Sequence, residues 1–263
     1  MQPDATGFLS GKVALVTGGS RGIGRAISLR LARENPAHLV IAYCMNAEAA
    51  RRTLHDVQAL GVPASVTVCD VGNEQLQREM FTRIEEEFGR LDVFVANAAR
   101  TTFRSAVAMD LRSWRRTQEL NTEAFLVGAQ LAAAIMRRND GGRILGLSSL
   151  GSRYYTPNYA ALGAAKAAIE TLARYLAVEL APDRINVNVL CPGWTNTKLV
   201  NWNVLGEMMG TSAENAKRSA ESQNIQKRIV EPDELGAMAA MLSSDAASAV
   251  TGQVISVDGG FMV

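Results

Sequence analysis

The feature that most constrains this chain is a strand and helix alternation that runs almost from end to end. Short runs rich in Val, Leu and Ile predict strands at Lys12–Thr17, His38–Tyr43, Ser65–Cys69, Leu91–Ala96, Gly142–Leu147, Ile185–Leu190 and Gln253–Val257. The intervening segments predict helices at Ile23–Glu34, Ala47–Leu60, Glu74–Phe88, Leu111–Arg138 and Asn158–Leu180. Strands that are apolar throughout, with no polar alternation, must be covered on both faces, which is the signature of a parallel sheet between helices. The expected fold is α/β: a doubly wound (Rossmann), mostly parallel seven-stranded sheet with helices on both faces. One domain spanning residues 1–263 accommodates it, and no linker or repeat interrupts it.

The segment Lys198–Arg228 stands outside this rhythm. It is compatible with helix but mixes in Trp202, Met208 and Met209, with Trp194 just before it. Because it follows the C-terminal end of a strand, where open α/β sheets bind ligands, it is expected to be a helical lid over a substrate. A solvated helical insertion is the plainer alternative.

Charge excludes some partners. The net charge is +1, which makes no electrostatic case for nucleic acid or an anionic membrane. There is no run of about 18 apolar residues, and Met1–Ser10 has no leader pattern, so a cytoplasmic location is expected. The three cysteines, Cys44, Cys69 and Cys191, have no metal-ligand spacing, and no metal is expected. Cys44 and Cys69 fall in strand-like runs, so both are expected to be buried, reduced thiols.

Between the first strand and the first helix lies Thr17-Gly18-Gly19-Ser20-Arg21-Gly22-Ile23-Gly24. Glycines there let the backbone turn sharply and approach a pyrophosphate, and the helix N-terminus offers free N–H groups and a favourable dipole. An acid ending the second strand would hold a ribose 2′-hydroxyl and reject a 2′-phosphate. The chain has Ala42-Tyr43-Cys44-Met45-Asn46 instead, while Arg21 can pair with a phosphate. This favours NADP(H) over NAD(H). Arg51 and Arg52 lie farther along, where a solvated helix face explains them.

The spacing of Gly18, Gly22 and Gly24 resembles the short-chain dehydrogenase/reductase family, and further motifs follow in that family's order across almost the whole chain. The resemblance implies that Asp70 and Val71 meet the adenine, and that Asn97 and Ala98 border the cofactor. Ala96-Asn97-Ala98-Ala99 stands in for the family's Asn-Asn-Ala-Gly, with Ala96 in place of the first Asn and Ala99 in place of the Gly. The resemblance also implies that Pro192-Gly193, Thr195 and Thr197 meet the nicotinamide amide and pyrophosphate. Asn121 sits in the helix after the fourth strand, where it can act directly or shape a kink and a water site.

The family's usual catalytic helix carries Tyr-x-x-x-Lys with a Ser thirteen residues before the Tyr; the Lys binds the nicotinamide ribose and lowers the Tyr pKa. Here the Lys is Lys166, and four residues earlier stands Leu162, which has no proton to give. Ser149 to Lys166 is 17 residues (166 − 149), the sum of the usual 13 and 4, so the frame is intact and the Tyr has moved to Tyr159. Positions seven apart share a helix face at about 10 Å axial separation, against about 6 Å for positions four apart. A donor placed farther from the nicotinamide end suits an α,β-unsaturated thioester, where hydride adds at Cβ and charge appears on the carbonyl oxygen.

This Tyr-x6-Lys spacing, with Ser148 to Lys166 around it, resembles the type III enoyl-acyl carrier protein reductases. That resemblance implies catalytic roles for Tyr159 and Lys166, with Tyr155 as a second Tyr near the substrate. Tyr154 and Tyr155 as packing residues, and Ser149 as a relic, are the alternatives. The expected activity is NADPH-dependent reduction of an acyl thioester, on CoA or an acyl carrier protein, in fatty acid or polyketide biosynthesis. A carbonyl reductase and a non-catalytic NADP(H)-binding protein are the competing readings. The family also implies a homotetramer; the small face of Ala160, Ala161, Gly163, Ala164, Ala167 and Ala168 permits such close packing, and core packing inside one subunit explains it equally well.

Overall fold

The computed structural model describes residues 7–197 and 200–261. Seven strands form one sheet in the order β3-β2-β1-β4-β5-β6-β7. They are β1 (Val13–Thr17), β2 (His38–Tyr43), β3 (Ala64–Val68), β4 (Val93–Ala96), β5 (Gly142–Leu147), β6 (Ile185–Pro192) and β7 (Val254–Val257). Every pairing is parallel, from Val13 opposite His38 to Pro192 opposite Val257. The sheet is therefore the expected doubly wound one, with all its strands ending on one edge.

Helices cover both faces, as continuously apolar strands require. Helices α1 (Gly22–Ala32) and α2 (Ala47–Gln58) lie on one face, where Ile27, Leu31 and Val57 pack against Leu39, Ile41 and Val95. On the other face, α3 (Glu74–Phe88), α5 (Ala124–Met136) and α6 (Ala160–Leu180) bury Phe81, Phe125 and Ile169 against Leu15, Phe94 and Val187.

Three features differ from the sequence reading. The long helix expected over Leu111–Arg138 is interrupted: α4 (Leu111–Gln118) passes through a π turn at Glu119–Glu123 before α5 begins. A helix not anticipated, α9 (Pro232–Ser243), fills the first face, where Gly236 lies so close to Ala26 that a Cβ would come within 2.8 Å of its carbonyl oxygen. Its start was encoded: Pro232 occupies the first turn, and Glu231 and Glu234 form a capping box. Finally, Cys44 is exposed, because β2 ends at Tyr43 and the chain turns out toward α2; Cys69 and Cys191 are buried as free thiols. Their burial pushes both pKa values up to about 11.

The segment expected to form a lid contains α7 (Trp202–Met208) and α8 (Ala213–Gln223); its first two residues, 198 and 199, lie outside the described residues. Among the described residues no helix is long and apolar enough to cross a membrane, and no group of His, Cys, Asp or Glu is arranged to hold a metal.

Strands β1 and β4, adjacent in the sheet but far apart in sequence, are stitched at their start by Asp92. Its buried carboxylate accepts the Val13 N–H at 2.8 Å and two bonds from Arg90 at 2.9 and 2.7 Å. Asp92→Ala should cost about 2–3 kcal/mol by leaving the Val13 N–H buried and unpaired, while Asp92→Asn, which keeps an acceptor, should cost less; urea unfolding of the two variants measures the difference.

Candidate active site

The site lies where β1 and β4 part, the point at which strand order reverses. Gly18 and Gly22 have φ of +62° and +56°, the left-handed region. A Cβ on Gly24 would fall 2.2 Å from the Gly18 carbonyl oxygen, and one on Gly18 would fall 3.0 Å from Ala98 Cα. The turn is thus close-packed backbone. At the start of α1, the Arg21 N-cap supplies no side-chain bond, so first-turn N–H groups remain available to an anion. This cradle fits a dinucleotide pyrophosphate.

The other expected cofactor residues surround it. Asn97 holds the turn itself: its amide donates to the Thr17 and Gly18 carbonyls at 2.9 and 3.1 Å. Ser20 is buried, and its carbonyl accepts the Thr53 hydroxyl. Ile23 packs at the edge of the α1 core. Asp70 caps its own turn through the Gly72 N–H and pairs with Arg116 at 2.8 Å, beside the buried Val71. Gly193, next to Pro192, lies against Asp258, with a Cβ there only 2.5 Å from the Asp258 Cα. Thr195 is buried and donates to the Gly193 carbonyl, while the Thr197 N–H donates to the Thr195 carbonyl. Arg21 is exposed and forms no ion pair among the described residues. Arg51 and Arg52 lie on the exposed face of α2, where Arg52 pairs with Glu48.

Tyr159 occupies the N-cap of α6, set there by Asn158 in the left-handed region at φ +59°. Its hydroxyl is 2.9 Å from the Ser149 hydroxyl, so the structure brings these two expected site residues together. Its ring lies flat on Gly151, where a Cβ would come within 2.3 Å of Cδ1. Phe103 covers the other side, ring centroids 5.9 Å apart, and the Arg104 N–H donates to the Asn158 carbonyl. Burial raises the Tyr159 pKa, partly offset by the bond to Ser149; Lys166 is not among the groups that shift it. The phenol therefore stays neutral and available as a donor. Tyr155 is 91% exposed and lines, with Tyr154, a cavity between this loop and α7–α8.

Lys166, two turns along α6, is only 4% exposed, and burial pushes its pKa down to about 8. A cavity of about 10 Å³ separates it from Asn121. Asn121 sits in the π turn with its side-chain NH2 donating to the Arg100 and Thr117 carbonyls, and its buried Oδ1 has no partner. An unpaired acceptor on a residue that lines this space suits a bridging water. Leu162 is buried in the helix.

Two contributors were missed from sequence. Phe103 walls Tyr159 from a loop. Glu170, one turn beyond Lys166, is buried and accepts the Ser148 and Ser152 hydroxyls at 2.6 and 2.7 Å while pairing with Arg153. It grips the loop on both sides of Ser149 and ties it to the helix bearing Lys166. The signal was legible: a lone acid at i+4 from Lys166, beside the buried Ile169 and Ala173.

The Lys166 pKa has a stability consequence. Between pH 8 and 10.5 the unfolded chain binds more protons than the folded one at this residue, so its contribution to stability rises with pH across that window. At neutral pH the buried ammonium costs about 3 kcal/mol, at about 1.4 kcal/mol per pKa unit. Lys166→Met should therefore stabilise the cofactor-free protein at pH 7, with the gap to wild type closing toward pH 10, as urea melts across pH will read, while nicotinamide cofactor binding is lost.

Comparison with known proteins agrees with this geometry. Residues 18–262 match the family model described as Enoyl-(Acyl carrier protein) reductase. The chain is 37% identical to 1-cyclohexenylcarbonyl-CoA reductase of Streptomyces collinus over 257 residues, covering 96% of this chain and 87% of that protein. It is 31% identical to human dehydrogenase/reductase SDR family member 4 over 256 residues, covering 96% of this chain and 88% of that one. The crystal structure of YwfH, an NADPH-dependent reductase involved in bacilysin biosynthesis, superimposes with a TM-score of 0.90 at 29% identity, covering 96% of this chain and 99% of that one. With its parallel sheet, glycine cradle and Ser149, Tyr159 and Lys166 on one edge, the chain belongs to the short-chain dehydrogenase/reductase family of nicotinamide-dependent oxidoreductases.

Proposed function

We propose that this chain is an NADPH-dependent reductase of α,β-unsaturated acyl thioesters, carried on CoA or an acyl carrier protein. The observation that carries the reading is the placement of Tyr159: a neutral phenol at the head of α6, seven residues before Lys166, held by Ser149 at 2.9 Å, with apolar Leu162 four residues before Lys166. The S. collinus relative supports it, since a 1-cyclohexenylcarbonyl thioester is itself α,β-unsaturated.

When bound, NADPH supplies the hydride that reduces Cβ. Tyr159 donates its O–H to the thioester carbonyl oxygen, where negative charge develops, and Ser149 orients that hydroxyl. Such a donor is strongest where water is excluded, and desolvation at the half-buried Tyr159 already raises its pKa. Lys166 holds the nicotinamide ribose, and the cradle of Gly18, Gly22 and Gly24 holds the pyrophosphate. Arg21, exposed beside that cradle with no acid at the end of β2, is the partner for the 2′-phosphate. The exposed Ala160 and Ala164, with Tyr175 and Val178 beyond them on α6, offer a face for a homotetramer.

Carbonyl reduction is the second reading, favoured by the close Ser149 and Tyr159 pair, which would also polarise a ketone. NADPH oxidation with crotonyl-CoA against acetoacetyl-CoA separates the two: faster turnover of the ketone would replace the enoyl reading.

Tyr159→Phe should leave cofactor binding intact and slow crotonyl-CoA reduction by a hundred- to thousand-fold, about 2.7–4 kcal/mol for one such donor. Near-normal kinetics in this variant would remove Tyr159 from the mechanism. Arg21→Ala should weaken NADPH by about 1.5–3 kcal/mol and barely affect NADH, read as the ratio of the two Kd values.

A further inference from the structure

Between the loop that precedes Tyr159 and the pair α7–α8, a cavity of about 140 Å³ opens. Leu150 and Tyr154 line it from the loop, Trp194 from the end of β6, and Trp202, Leu205 and Met208 from α7. Two aromatic pairs shape its walls. Trp194 and Trp202 stand 5.8 Å apart at 43°, and Tyr154 meets Phe261 edge to face at 5.5 Å. Ala216 and Ala220, both buried on α8, close the lid side with their methyl groups.

Size decides what this space can hold. An apolar cavity of about 150 Å³ takes one benzene. A space of about 140 Å³ accordingly seats a single six-membered ring, and most of a long acyl chain would have to leave through its open side, out of contact with the walls. A four-carbon crotonyl group would leave much of it unfilled, forfeiting contacts with the walls. Flat indole and phenol faces also match the broad face of a ring better than a flexible chain, which loses rotamer entropy when confined.

We propose that this cavity is the acyl site and that it selects α,β-unsaturated thioesters bearing one compact carbocycle next to the thioester carbonyl. This rests on the enoyl reading above and adds the substrate class to it. Ala216 and Ala220 set the depth of the cavity, and Trp202 sets its outer wall.

The test compares kcat/KM of the intact protein with NADPH on three CoA esters: crotonyl, 1-cyclohexenylcarbonyl and trans-2-dodecenoyl. The cyclic ester should exceed each of the others by about tenfold or more, the scale of a few well-packed methylenes. Ala220→Leu should lower the preference for the cyclic ester over crotonyl by a similar factor. Trp202→Ala should raise the relative rate on dodecenoyl. A dodecenoyl ester used as well as the cyclic one would overturn the size selection and leave the enoyl reading standing. If none of the three is reduced, the enoyl reading fails, and binding still tests the cavity. Cyclohexanecarbonyl-CoA and dodecanoyl-CoA are then titrated against intrinsic tryptophan fluorescence. Tighter quenching by the ring ester supports the inference, and equal or weaker quenching overturns it.

Discussion

Everything at this site depends on the close approach of two strands that are neighbours in the sheet but about eighty residues apart in the chain. At the ends of β1 and β4 the Asn97 side chain donates to the Thr17 and Gly18 carbonyls, and the Thr17 hydroxyl accepts the Asn97 N–H at 3.1 Å. That exchange satisfies polar backbone that would otherwise be buried without partners. It also pulls the glycine turn so tight that no side chain fits at Gly24. The start of α1, the cradle and the crevice follow from it, because strand order reverses at this place and leaves a gap between the connections.

Burial then tunes the chemistry. Lys166 and Glu170 sit one turn apart in the same helix, both buried, and meet different fates. Glu170 is satisfied by two hydroxyls and an arginine, so its charge serves to brace the Ser149 loop. Lys166 has no such partner among the described residues, and its pKa falls to about 8. An unpaired buried cation is costly to the fold and suited to a ligand that brings its own hydroxyls. Tyr159 completes the division of labour, since desolvation keeps it protonated.

Much of this was legible in the chain. Continuous apolar runs revealed the strands, because a strand covered on both faces has no solvent side to mark with polar residues. Boundaries slipped by a residue or two, as at Leu91, which precedes β4. The frame from Ser149 to Lys166 singled out Tyr159, and the structure brings its hydroxyl to that of Ser149. The π turn at Asn121 was less visible, since its geometry follows from packing and hydrogen bonds to the Arg100 and Thr117 carbonyls. Cys44 was misplaced because its surrounding run reads as strand, whereas the pairing with β3 ends one residue earlier, at Tyr43 opposite Val68.

The sequence by itself determined the alternation of strands and helices, the glycine turn and the spacing of Tyr159 and Lys166 along one helix, because each is written in local spacing. Only the tertiary structure decided that Phe103 packs on Tyr159, that Glu170 braces the Ser149 loop, and that α7 and α8 border a cavity of about 140 Å³. These are contacts between segments distant in the chain, and no local pattern records which side chains the folding of the sheet will bring together.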